Sequence, residues 1–320
     1  MRHGKEKKKM RLNPIVKKDV KVQSRSMKIC FGVFAYELIL ALVFFFAMFL
    51  IQENSVYSIS NIYSELVVLY PVLAITQFAI LGVIVPVRTA SAISGERERQ
   101  TFDIMMTTGM TPFSVITGKV MTAIVQSMLF IAASLPIMAL SFVVGGMSWS
   151  YLFWFFAIAL LISLFSASIG ILCSSICKKS VSAVIMSYGF YLIFFVATVL
   201  PVVLYEIYSD SGQYARSVVQ SGQSYGENIY LLLLLNPAVY LAEFFTKIMT
   251  GESLVNEISD MTATTVKPGG PIRFVTEGHH WMIVSTILFL AVSFLFLWLS
   301  ARRIDPVRKH ANKQRRRKPA

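Results

Sequence analysis

Six long apolar runs, at 29–51, 66–87, 120–144, 149–173, 181–204 and 281–301, leave this chain few ways to fold. A bilayer core roughly 30 Å thick is crossed by about twenty helical residues, each rising about 1.5 Å. Inside lipid every backbone N–H and C=O must find a partner, and only a helix or a closed barrel provides one. The runs lack the alternation of barrel strands. The expected fold class is therefore an all-α polytopic membrane protein with six transmembrane helices. A soluble helical protein does not fit, because 55% of the 320 residues are hydrophobic and only 15% are charged. The first run follows a long basic arm and has no small-residue cleavage site, so it does not read as a signal peptide.

The net charge of +13 invites a nucleic-acid reading, but its distribution points to a membrane instead. Of the 30 Lys and Arg residues, 11 precede the first run and 9 follow the last. The 2–3 connection adds Arg88, Arg97, Arg99 and Lys119, and the 4–5 connection adds Lys178 and Lys179. The alternate connections hold only Arg216, Lys247, Lys267 and Arg273. This is the positive-inside pattern, so both termini are expected in the cytoplasm. The basic tails read as anchors on anionic lipid, with no nucleic-acid partner. The expected location is the plasma (inner) membrane.

Residues 1–28 read as a basic arm followed by an amphipathic helix. Asn13-Pro14 can open that helix. Ile15, Val16, Val20 and Met27 then share one face, against Lys17, Lys18, Lys21, Arg25 and Lys28. Residues 302–320 form a basic cytoplasmic tail. Residues 205–280 form a long external segment, in which Asn236-Pro237 splits the apolar stretch 229–245. We expect two short helices there, re-entrant or lying on the outer leaflet before the sixth span. Span 4 carries Ser166, Gly170 and Ser174 at four-residue spacing, a stripe suited to close helix packing.

Residues with the potential for chemistry are few. Glu37 lies within the first run and must face protein or water, because a mid-membrane charge costs about 2.5–3.5 kcal/mol. It is a possible intramembrane functional group, and equally a structural hydrogen-bonding one. Gln77 and Gln126 are the other notable polar groups in the spans. His279-His280 has no third ligand nearby, so no metal is expected. Cys30, Cys173 and Cys177 all fall on the reducing side, and no disulfide is implied.

The densest mixed-charge segment lies between the second and third runs: Ser94-Gly95-Glu96-Arg97-Glu98-Arg99-Gln100-Thr101-Phe102-Asp103-Ile104-Met105-Met106-Thr107-Thr108. Ser94 can cap a helix, and Glu96 and Glu98 suit its positive end. Arg99 and Asp103 are four apart and can pair. Phe102, Ile104, Met105 and Met106 make a greasy half, and Gly109 and Pro112 end the segment. The expectation is a short helix over about 94–108 on the cytoplasmic face. From the residues alone it could equally be a solvated connector.

Here the chain resembles the type-two ABC transporter permeases of the exporter class. The resemblance rests on Gly95-Glu96-Arg97-Glu98 with Thr101-Phe102-Asp103, on Thr111-Pro112, on Gly118-Lys119, and on Asn13-Pro14-Ile15 with Lys18-Asp19. Phe102 stands where the family commonly has Leu, and Gly109 where Pro is usual. The resemblance implies that the segment is a coupling helix inserted into an ATP-binding subunit. Glu96, Arg97, Glu98, Arg99, Thr101, Phe102, Asp103 and Met106 would make the contact. It also implies a second permease chain, identical or homologous, beside this one in the lipid bilayer. The chain has no G-x-x-x-x-G-K-[ST] loop: around Gly118-Lys119, Phe113 and Val120 occupy the positions of the first Gly and the Ser/Thr. ATP and Mg are thus expected on the partner ATPase, with no cofactor or catalytic residue here. The rival readings are a non-transporting accessory membrane protein and a membrane-embedded lipid-modifying enzyme. The enzyme would need clustered polar groups at one depth, and no His lies mid-span.

Overall fold

The computed structural model describes residues 16, 17, 19, 21, 26–55, 66–107, 111–145, 148–210, 227–251, 253, 254 and 280–304. His279, the basic arm 1–15, the tail 305–320 and much of the 205–280 segment lie outside the described residues. All regular structure among the described residues is helical. In chain order the elements are α1 (Met27–Ser55), α2 (Leu69–Glu98), α3 (Thr101–Thr107), α4 (Pro112–Gly145), α5 (Trp149–Ile176) and α6 (Ser180–Asp210). A 3-10 helix (Glu227–Leu235), α7 (Pro237–Met249) and α8 (His280–Ile304) follow. Six of them (α1, α2, α4, α5, α6 and α8) are long and apolar enough to cross a membrane.

The six expected spans are all present, and most are longer than their apolar runs. Span 2 reaches Glu98 and span 3 begins at Pro112. Hydropathy marks only the part of a helix that sits in lipid. A helix continues past that point wherever packing satisfies its backbone.

At the centre lies α5, whose broadest contact is with α2. Two-thirds of its most apolar window is buried (67%), against 17% for α1, α6 and α8. Those three helices present apolar side chains outward. The stripe Ser166-Gly170-Ser174 is what brings α2 so near: a Cβ on Gly170 would overlap the Oγ1 of Thr89. One turn on, the Ser174 hydroxyl accepts from the backbone N–H of both Ile93 and Ser94, each at 2.9 Å. The packing role expected for the stripe is realised here. Farther along, Tyr70 meets Phe142, Phe155 and Phe245 edge-on, joining α2, α4, α5 and α7 in one aromatic core.

The break at Asn236-Pro237 is sharp. The 3-10 helix and α7 are inclined at 97°, so they do not form one straight span. Asn236 caps α7 by accepting from Ala238 N at 2.9 Å, and its amide donates to Thr198 Oγ1 on α6 at 2.8 Å. Tyr240 hydroxyl and Thr286 Oγ1 of α8 share a 3.0 Å hydrogen bond. Completely buried Glu243 accepts from Ser253 Oγ and Leu254 N, and pairs with Lys247 at 3.3 Å. The corner is thus tied to two long helices.

Of the expected amphipathic N-terminal helix, Val16, Lys17, Asp19 and Lys21 are described. All four are helical, with Val16 buried and Lys17 and Lys21 exposed; the other positions of the expected helix before Ser26 lie outside the described residues. Met27, assigned to the apolar face, is instead exposed in α1.

Candidate functional site: the charged end of the second span

The segment 94–108 is not one helix beginning at Ser94. Residues 94–98 are the last turn of α2, and only Thr101–Thr107 forms the short helix α3. Ser94 caps nothing: its hydroxyl donates to Ala90 O at 2.8 Å, inside the helix. The polar 94–98 turn remains helical because α5 packs along it and supplies Ser174. The true stop is Gln100, whose φ of 59° puts it in the left-handed region.

Arg97 turns back into the bundle, and Glu98, itself exposed, reaches sideways to the start of α6. Arg97 Nη1 donates to the carbonyls of Ser175 at 2.9 Å and Cys177 at 3.1 Å, at the C-terminal end of α5. Glu98 accepts from the backbone N–H of Ser180 at 3.0 Å and from its hydroxyl at 2.6 Å, at the start of α6. A cation at a helix C-terminus and an anion at an N-terminus both suit the helix dipoles and pair groups the helices leave unbonded. The α5–α6 connection is therefore clamped to the end of α2 by two adjacent side chains. Gly95 sits at the same approach, where a Cβ would meet Ser180 Oγ at 3.4 Å, an ordinary contact.

Glu96 faces the other way. Its carboxylate meets Lys119 Nζ at 2.6 Å, and the same ammonium lies 3.1 Å from Asp19. One cation thus joins α2, α4 and the N-terminal helix. Phe102 is 8% exposed, packed with Ile93, Ile116, Val120, Ile171 and Ile304. The Arg97 guanidinium lies 5.1 Å above its ring. Met106, partly buried, packs against the same cluster.

What α3 and its joint present outward is Arg99, Gln100, Thr101, Asp103, Ile104 and Thr107. Ile104 is 67% exposed, a large apolar group ringed by polar ones. Of the eight residues expected to make contact, Arg99, Thr101 and Asp103 face outward, whereas Arg97, Phe102 and Met106 turn inward and Glu96 and Glu98 serve neighbouring helices. Gln100, Ile104 and Thr107 join the outward face, which a continuous-helix register did not reveal. The expected Arg99–Asp103 pair is absent among the described residues, because the break at Gln100 removes the i,i+4 register.

Glu37 stays apart from this end. Its Oε1 is buried on α1 and has no hydrogen-bond partner among the described residues. Gln77 is wholly buried, with both amide atoms unpartnered there. The three cysteines are unpaired, and no cluster of three potential metal ligands occurs among the described residues.

Six membrane-length helices, one carrying a clamped extension and a short outward-facing helix, define a multi-pass membrane protein built around a charged connector. Residues 51–302 match the model of the ABC-2 family transporter proteins, so the chain belongs to that family of transporter permeases. Membership implies association with the membrane and with an ATP-binding subunit. No curated protein matches the chain.

Proposed function

We propose that this chain is the membrane-spanning permease subunit of an ATP-driven exporter, working as a dimer around a central path. ATP and Mg are bound and turned over on a separate ATP-binding subunit. The charged end of α2 lies in the cytoplasm, as do both termini of the chain, in the plasma (inner) membrane. The 3-10 helix and α7 lie on the outer side. The second permease chain, identical or homologous, docks on this chain within the bilayer, where α1, α6 and α8 carry exposed apolar faces.

The observation that carries this reading is the outward face of α3. An exposed Ile104 beside Asp103 and Thr107, with Arg99 and Gln100 at the joint, suits a cleft on a protein partner. A side chain like Ile104 contributes roughly 1.5–3 kcal/mol when fully buried. Two side chains give the face mechanical reach. Arg97 and Glu98 tie the end of α2 to the ends of α5 and α6, so a push on α3 moves three spans together. Motor closure would reach the path as one rigid displacement of α2, α5 and α6.

The test is co-purification. Ile104→Glu and Asp103→Lys should insert and fold normally, yet recover at least tenfold less ATP-binding subunit and lose transport. Undiminished recovery and full transport in the double variant would remove α3 as the grip. A well-folded complex that hydrolyses ATP but moves no cargo would favour the accessory reading instead.

A further inference from the structure

Between α2, α4 and the N-terminal helix lies a cavity of about 240 Å³, lined by Arg88, Lys119, Gln126 and Asp19. At about 30 Å³ per water it has room for roughly eight waters, more than a phosphate group needs. A much smaller pocket shares Arg88 and Gln126 and continues between Ile84 and Phe130. The cavity is therefore polar where the N-terminal helix crosses it and apolar one turn deeper along α2.

The charges on its wall are not equivalent. Lys119 is already held by Asp19 and Glu96. Arg88 has no carboxylate within ion-pair distance among the described residues. Its Nη1 is buried without an acceptor. Among the described residues the guanidinium lies over the Phe130 ring at 6.0 Å, a weak substitute for a counter-ion. The wall hydroxyls of Thr89, Ser91 and Thr122 all donate to carbonyls of their own helices. Among the described residues the donors left for a ligand are thus the Arg88 guanidinium and the Gln126 amide. A guanidinium without an anion in a half-buried site is costly, and its fork matches an oxyanion such as a phosphate bidentately.

We propose that Arg88 and Gln126 bind a phosphate group, and that its source is the headgroup of an inner-leaflet anionic phospholipid. The lipid source rests on the cytoplasmic placement of this end given above. An amphipathic helix marks the headgroup plane, and Asp19 on that helix lines the same cavity. Ile84 and Phe130, which line the small adjoining pocket, give the site an apolar wall beside the headgroup.

The test uses the full chain purified in detergent and stripped of lipid. Its thermal unfolding is followed against added phosphatidylglycerol, dioleoylglycerol (which lacks phosphate) or inorganic phosphate. Phosphatidylglycerol should stabilise the protein and dioleoylglycerol should not. Arg88→Gln should raise the phosphatidylglycerol concentration needed at least tenfold, and Gln126→Leu severalfold. Should Arg88→Gln fail to fold, Arg88→Lys and Gln126→Leu carry the comparison. An Arg88-dependent shift with inorganic phosphate at the same concentration would keep the phosphate site and overturn the lipid source. Equal stabilisation of wild type and both variants by phosphatidylglycerol would overturn the site. Orientation is read separately, by protease access to the basic tails in sealed vesicles. Tails on the outside would overturn the inner-leaflet assignment while leaving Arg88-dependent binding intact.

Discussion

Glu98, the last residue of α2, caps Ser180, the first residue of α6, through both the backbone N–H and the hydroxyl. Eighty-two positions apart in sequence, the two make the start of the fifth span depend on the end of the second. Glu98→Ala should lower the thermal unfolding temperature and reduce transport per ATP hydrolysed. Ser180→Ala keeps the N–H bond and should show only part of the loss. In a double-mutant cycle the two effects should be far from additive, because both act on one contact. Additive losses would show that Glu98 acts elsewhere.

Gly170 and Gly189 separate close packing from mere helix position. At Gly170 a Cβ would run into Thr89, with the backbone N of Ala90 at 3.1 Å, whereas at Gly189 nothing lies within 4 Å. Gly170→Ala should destabilise by about 1–3 kcal/mol through overpacking. Gly189→Ala should be neutral or mildly favourable. Unfolding in detergent reads both, and equal effects would argue against the α2–α5 contact.

Phe102 and Ile104, two residues apart on α3, should fail in different ways. Phe102→Ala empties part of a buried cluster and should cost about 3 kcal/mol of stability. Ile104→Ala removes an exposed group and should leave the melting temperature within about a degree or two. Only the second should lower recovery of the ATP-binding subunit from an otherwise intact protein.

Among the described residues Lys119 is the cation that pairs with both Asp19 and Glu96, and its side chain is only 10% exposed. Lys119→Met leaves two carboxylates facing each other and should cost about 2–3 kcal/mol. It should also release the N-terminal helix, so that limited trypsin digestion at Lys17 and Lys21 speeds up severalfold. Protection unchanged from wild type would mean that other contacts hold the helix.

Asn236 tests the corner between the 3-10 helix and α7. Asn236→Ala loses the cap and the bond to Thr198, and should destabilise by about 1–2 kcal/mol. Asn236→Asp keeps the cap acceptor but not the amide donor. It should retain part of the stability, measured by thermal unfolding.

Much of this protein could be read from residue order alone. The six spans follow from uninterrupted apolar length without strand alternation, because lipid admits only helices or closed barrels. The small-residue stripe of α5 and the Asn236-Pro237 corner follow from what Gly, Ser, Asn and Pro can and cannot do locally. What only the tertiary structure decided is where α2 stops and which way its charges face. A serine before an acidic turn reads as a helix start when its neighbours are unknown. With α5 alongside, Ser174 and the helix's own carbonyls satisfy that turn, and α2 continues to Glu98. The partners of Arg97, Glu98 and Glu96 lie on α5, at the start of α6 and on α4. Local periodicity carries no information about such distant partners, so only folding could show which charges close the bundle and which remain for a second protein.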